Sequence, residues 1–399
     1  MKVVTGLALL GLMMGTGLAM AEDWPQFRGP GVNNVSTEKG INKDWGAREP
    51  KVLWKFEMKD NGNAAPAVAG ERVYIVDHEG AQDIVRALEL GTGKPVWEFK
   101  YEDAKKERYG FTVSTPLVDG GKVFVLSRMG KVFCLDAEKG EPVWQKNVMA
   151  ESAGKRPSWD YVMSPVLDGD RLVFSPGGEG TGVVVLEKAT GKTVWQGGGG
   201  GKATYGTPIV AKIDGKKQYV ALTVSSVKGV AAEDGKVLWE VPWQNAYEKK
   251  APSPVLVGER VLICTTEGGN SGLIEVKDNQ ASLVWQNKSI QVHFTTPVLY
   301  HEVVWAGAES GLTAFDPLTG KTLWTQKGFK YASVVAVDDT VIALNGSGGK
   351  LVMLDATAKE YKELGAFTPL GGQSWTPPIV AGGKLLVRNT KALECLDLK

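Results

Sequence analysis

A tryptophan recurs along the chain at intervals of 39 to 51 residues, as Trp54, Trp97, Trp144, Trp195, Trp239, Trp285 and Trp324. A glycine turn precedes five of them, in TGKPVW, KGEPVW, TGKTVW, DGKVLW and TGKTLW. The clearest unit, Pro116 to Trp144, reads as four short strands. These are Leu117-Val118, Lys122–Ser127, Val132–Asp136 and a fourth opening at Pro142-Val143-Trp144, joined by Gly-bearing turns. One such meander cannot bury both its faces and needs copies of itself as neighbours. A second marker gives the copies independently: Pro66, Pro116, Pro165, Pro208, Pro254, Pro297 and Pro377 open the first strands. The unit Ser333–Leu364 has lost both its Pro and its Trp, and the two markers together count eight units.

The last unit ends at Cys395-Leu396-Asp397, which aligns with the third strand Cys134-Leu135-Asp136. Its fourth strand is predicted at the front, where Lys51–Glu57 (KVLWKFE) matches Lys94–Lys100 (KPVWEFK). An N-terminal strand completing the C-terminal sheet closes a ring and removes its open edges. The expected fold is all-β: an eight-bladed β-propeller of four-stranded antiparallel blades over residues 51–399, closed by strand 51–57.

Residues 1–21 read as a secretory signal peptide, with Lys2 as n-region, an apolar stretch Val3–Leu18 and an Ala19-Met20-Ala21 cleavage site. Periplasmic or secreted localisation follows, with no membrane span after cleavage. Lys2 is one of 46 basic residues, so the rest of the chain balances its 45 acidic ones. That balance argues against nucleic acid and against an anionic membrane surface. Cys134, Cys264 and Cys395 lie on strands and are expected to be buried free thiols. Residues 22–50, with DWPQFRGP, carry too many Pro and Gly for a regular element and too much apolar surface for a free tail. They are read as an ordered strap against the ring, or as a plug over its channel.

The repeated Trp residues are structural wedges between blades. The informative residues are those that differ between units. Connections from a fourth strand to the next first strand share a face with the second-to-third loops, and first strands line the axis. The candidate binding set at this channel mouth is Tyr109, Phe111, Arg128, Trp159, Tyr161, Tyr205, Tyr247, His293, Trp375 and Arg388. Such a ring suits a flat ligand, a sugar polymer or a peptide segment; alternatively each aromatic caps its own blade junction. Three scattered His and the absence of CxxC or a nucleophile elbow leave no catalytic, cofactor-binding or metal-ligating residue to assign.

The units LDAEKGEPVW, LEKATGKTVW and FDPLTGKTLW resemble the tryptophan-docking repeats of the pyrroloquinoline quinone (PQQ) family of eight-bladed propellers, and the resemblance covers Lys51–Lys399. The opening DWPQFRGP is similar to that of exported quinoprotein-like propellers without an assigned reaction. The resemblance implies two alternatives. In the quinone-dependent alcohol dehydrogenases, the cofactor lies between a Trp and a vicinal disulfide beside a calcium site with an Asp base. This sequence has no vicinal Cys pair, and Trp375 is its one candidate quinone floor. The other branch includes the propeller lipoprotein of the outer-membrane β-barrel assembly machine, which binds extended partner segments; here no Cys follows the cleavage site. The expected function is therefore an exported, monomeric binding or scaffold propeller that needs no cofactor. It would engage a protein segment or polysaccharide through its aromatic face. The alternative is a PQQ-dependent oxidoreductase using quinone and calcium.

Overall fold

The computed structural model describes residues 22–103, 110, 112–244, 250–266 and 270–399. Eight four-stranded antiparallel sheets follow one another, and each strand pairs with its sequence neighbours. Blade 1 spans Ala67–Glu102, blade 2 Leu117–Asn147, blade 3 Val166–Gly198 and blade 4 Ile209–Pro242. Blade 5 spans Val255–Asn287, blade 6 Val298–Gln326 and blade 7 Ser333–Phe367. Blade 8 takes three strands from Ile379–Asp397 and its fourth from Val52–Glu57, with Val52 opposite Leu396 and Glu57 opposite Ala392. The ring thus closes by the N-terminal strand, as the repeat alignment predicts.

Second and third strands carry unbroken apolar runs such as Val123–Leu126 and Val132–Leu135, because both of their faces pack between blades. Fourth strands alternate, leaving Val96, Val143, Val194 and Leu323 exposed at the rim beside their tryptophans. The three cysteines are buried and free, Cys134 and Cys395 at equivalent third-strand positions. Burial pushes the Cys134 thiol up to about 11 and those of Cys264 and Cys395 to about 12, so none is a reactive thiolate.

Five of the repeated Trp residues join their blade to the next by the indole N–H. Trp97 Nε1 donates to the Ala137 carbonyl at 3.0 Å, Trp144 to Lys188 at 3.1 Å, Trp195 to Ala232 at 3.2 Å and Trp285 to Pro317 at 3.0 Å. Trp54 makes the same bond across the closure, to Leu90 at 2.8 Å. The ring lies on the glycine of the next unit's turn. A Cβ on Gly140, already at φ 71°, would come within 2.5 Å of the Trp97 ring. Trp239 departs from the pattern and donates to Gln218 of its own blade at 2.6 Å. In blade 7 the equivalent position is Gly365, paired with Met353. There Trp45 of the strap takes the vacant ground: a Cβ on Gly365 would meet the Trp45 Cβ at 2.6 Å, and Trp45 packs edge-on to Phe367 at 5.2 Å.

Around the axis a second device links blades 2 to 6. The residue before each first-strand proline is Ser or Thr, and its hydroxyl accepts the amide of its counterpart in the preceding blade. Thr115 N donates to Ser164 Oγ (3.0 Å), Ser164 N to Thr207 Oγ1 (3.1 Å), Thr207 N to Ser253 Oγ (3.1 Å) and Ser253 N to Thr296 Oγ1 (3.0 Å). These bonds satisfy amides that have no ladder partner at the narrow end of each blade.

The strap runs along the ring at the end opposite the loops leading into the first strands. Trp24 exchanges backbone bonds with Val68 of blade 1, the Pro25 carbonyl accepts from Val118 of blade 2, and Asn34 bonds to Ala336 of blade 7. Val35–Ser36 adds a parallel strand beside Ala336–Val337. Asp338 then accepts the amides of Gly40 and Ile41. The strap also enters the axis: Phe27 and Asn34 line a channel cavity of about 180 Å³ together with Ser164, Thr207 and Ser253.

Candidate functional site

The loops that enter the first strands gather six non-repeated aromatic side chains at the mouth. Trp159, Tyr205, His293, Phe294, Tyr331 and Trp375 line an open cup of about 340 Å³, with Val113, Val162, Ala251 and Asn63 between them. Phe294 lies 4.9 Å from Trp375 and 5.0 Å from Tyr331, and Trp159 lies 5.7 Å from Tyr205, centroid to centroid. Apart from Tyr205, which is buried, these rings are half-buried and present faces to the cup. The Tyr205 hydroxyl accepts the Trp159 amide at 3.3 Å, and His293 Nδ1 meets Glu309 at 3.2 Å. The backbone of Lys250 accepts the amides of Tyr205 and Gly206 and so holds the Tyr205 loop. Its own ammonium is buried and donates to the carbonyls of Thr223 and Val224, both at 2.7 Å; burial pushes it down to about 7.

Of the ten residues predicted for the mouth, Trp159, Tyr205, His293 and Trp375 meet there. Tyr109, Phe111 and Tyr247 lie outside the described residues. Three are corrected by the structure. Tyr161 is fully buried under the mouth, its hydroxyl on Met163 Sδ at 2.9 Å, because the left-handed Asp160 (φ 68°) between it and Trp159 breaks the alternation that would keep both rings on one face. Arg128 is buried and clasps Asp103 through Nε (3.2 Å) and Nη2 (2.8 Å). Arg388 is 1% exposed; it pairs with Asp60 at 3.0 Å and donates to the Ala64 carbonyl at 2.7 Å, locking blade 8 to blade 1. Both arginines sit where a second-to-third loop was predicted, but buried aspartates draw them inward, since an unpaired buried guanidinium is costly. Phe294 and Tyr331 complete the cup from outside the predicted set, Phe294 as the neighbour of His293 and Tyr331 on the corresponding approach to the first strand of blade 7.

Among the described residues no group of three or more His, Cys, Asp or Glu could hold a metal ion. The three thiols are buried singly, and the buried Arg128 and Arg388 are committed to Asp103 and Asp60. The described residues of the cup offer no metal-binding cluster for a calcium-bound quinone.

The family model described as outer membrane protein assembly factor BamB matches residues 35–106, 81–326 and 308–398. The chain belongs to this family of PQQ-like propellers. It is 22% identical over 336 residues to the assembly factor BamB of Moranella endobia, covering 77% of this chain and 70% of that protein. Against BamB of Yersinia pestis the identity is 26%, covering 59% and 64%. The quinoprotein ethanol dehydrogenase of Pseudomonas aeruginosa is 32% identical over 224 residues, which is 51% of this chain and 35% of that enzyme. Among solved structures, BamB from Moraxella catarrhalis superposes with a TM-score of 0.64 at 14% identity, over 87% of this chain and 99% of that one. Quinohemoprotein alcohol dehydrogenase from Comamonas testosteroni gives 0.65 at 12%, over 94% and 80%. At such identities these two likenesses establish the fold.

Proposed function

We propose that the protein is an exported binding propeller of the BamB type, which holds an extended protein segment in the aromatic cup at its channel mouth. The observation that carries this reading is the cup itself: six aromatic rings that take no part in the repeat, open to solvent above a channel lined by Phe27 and Asn34 of the strap. Flat rings supply large contact area at little entropic cost and accept varied side chains. The family match supports the reading, because the relatives it describes are named as assembly factors for outer-membrane proteins. Residues 1–21 would direct export, and a near-zero net charge suits a partner that is not a polyanion. The oxidoreductase reading rests on the partial likeness to quinoprotein dehydrogenases, and no metal-binding cluster among the described residues supports it.

The test is a pair of titrations of the mature protein, followed by tryptophan fluorescence. One uses an unfolded outer-membrane β-barrel polypeptide. The other uses pyrroloquinoline quinone with and without calcium, alongside a dye-linked alcohol oxidation assay. A saturable response to the polypeptide alone is expected. Quenching by quinone with turnover would replace this reading with the enzymatic one.

A further inference from the structure

Arg28 sits in the strap between Phe27, which lines the channel, and Gly29, which packs on the Trp24 ring. It is 3% exposed. Its Nη1 donates to the Pro254 carbonyl of blade 5 at 3.2 Å, and Nε has no partner. Among the described residues no carboxylate pairs with it, and burial alone pushes the guanidinium down to about 10. The other buried arginines show what this molecule normally does with such a group: Arg128 is paired with Asp103 and Arg388 with Asp60. Arg128 grips its partner through Nε and Nη2, and so does the more exposed Arg260 on Glu275. The Nε of Arg28 is left without an acceptor. A buried cation without its anion is costly and is seldom retained without a use.

Arg28 also forms part of the wall of a cavity of about 300 Å³ at the strap end of the channel, away from the aromatic mouth. Strap residues Gly31–Asn33 supply one side, and the apolar first strands of blades 3 to 6, including Leu167, Val210 and Leu256, supply the other. The strap folds back over the arginine, with the amides of Asn33 and Asn34 both donating to the Arg28 carbonyl. It does so through left-handed conformations at Arg28 (φ 67°), Val32 (φ 52°) and Asn34 (φ 58°). For β-branched Val32 this is a strained geometry, held only because its surroundings over-determine it.

We infer that Arg28 and this cavity form a second binding site, which takes a carboxylate carried on a small apolar body. The guanidinium supplies a planar fork matched to a carboxylate, and the first-strand Val and Leu side chains supply the apolar wall. The carboxylate belongs either to a free short-chain acid or to the C-terminus of an apolar peptide.

The experiment is thermal unfolding of the mature protein with increasing hexanoate, with hexanol and acetate as controls lacking the charge or the body. A short apolar peptide with a free C-terminus is compared with its amide. A saturable rise in Tm of about 2 °C at ten times Kd is expected for hexanoate or for the free-acid peptide, and none for their neutral counterparts. Which of the two acts identifies the source. Arg28→Met should abolish the response while leaving the unliganded protein at least as stable as the parent, because it removes an uncompensated charge. A Tm that responds to neither carboxylate, or a response that survives in Arg28→Met, overturns the inference. Should Arg28→Met fail to fold, the contrast of hexanoate with hexanol on the parent protein still decides.

Discussion

Trp144 and Trp375 are the same residue put to opposite uses. Trp144 lies at the rim, its ring over Gly191 and its Nε1 on the Lys188 carbonyl of the next blade. It is one of a series, and its surroundings are rebuilt at every regular junction. Trp375 lies at the mouth, where it belongs to no series and packs on the equally irregular Phe294 and Tyr331. The repeat thus assigns its aromatics to cohesion, and what deviates from the repeat is free to face a ligand. The same division separates the paired Arg128 and Arg388 from Arg28 in the strap.

Breaking the rim should cost most. Trp144→Ala is expected to destabilise the fold by about 3–5 kcal/mol in denaturant titration while leaving ligand binding at the mouth unchanged in the molecules that remain folded. Trp45→Ala tests whether the strap replaces the missing docking residue of blade 7. A loss of about 3 kcal/mol is expected, and a loss below about 1 kcal/mol would show Trp45 to be a passive cover. Ser164→Ala removes the acceptor for the Thr115 amide in the axial ring and should cost about 1–3 kcal/mol by the same measurement.

A smaller effect probes the ground under the mouth. Lys250 is held at about 7 in the folded protein, below the ordinary lysine value, so between about pH 7 and pH 10 the unfolded chain binds its proton more tightly. This group's contribution to stability therefore rises as pH rises through that window and is least favourable below pH 7. Lys250→Met should remove the corresponding slope from stability measured at pH 6 to 10. An unchanged slope would assign it to other groups.

The propeller was legible because its period is written in residues with few substitutes: Trp, the turn Gly before it and the first-strand Pro. Closure by Val52–Glu57 was legible for the same reason. The axial hydroxyl ring was equally present, since Ser or Thr precedes Pro116, Pro165, Pro208, Pro254, Pro297 and Pro377, but a small polar residue beside Pro is the usual sign of a turn. At the mouth, position in the repeat brought out Trp159, Tyr205, His293 and Trp375, which line the cup. It failed for Tyr161, two residues from Trp159, because Asp160 between them takes a left-handed conformation and turns the two rings apart. It failed for Arg128 and Arg388 because their partners, Asp103 and Asp60, lie in irregular connections whose course no period announces.

The most direct test of the mouth as the binding surface is site-specific photo-cross-linking in the exported compartment. A cross-linking residue would stand at Trp375 in one strain and at the exposed rim residue Leu323 in another. The expected result is a discrete protein adduct from position 375, lost when Trp159 and Tyr205 are changed to Ala, and no such adduct from position 323. Adducts from the rim alone, or an adduct at 375 that is indifferent to Trp159 and Tyr205, would contradict the assignment of the aromatic cup as the binding site.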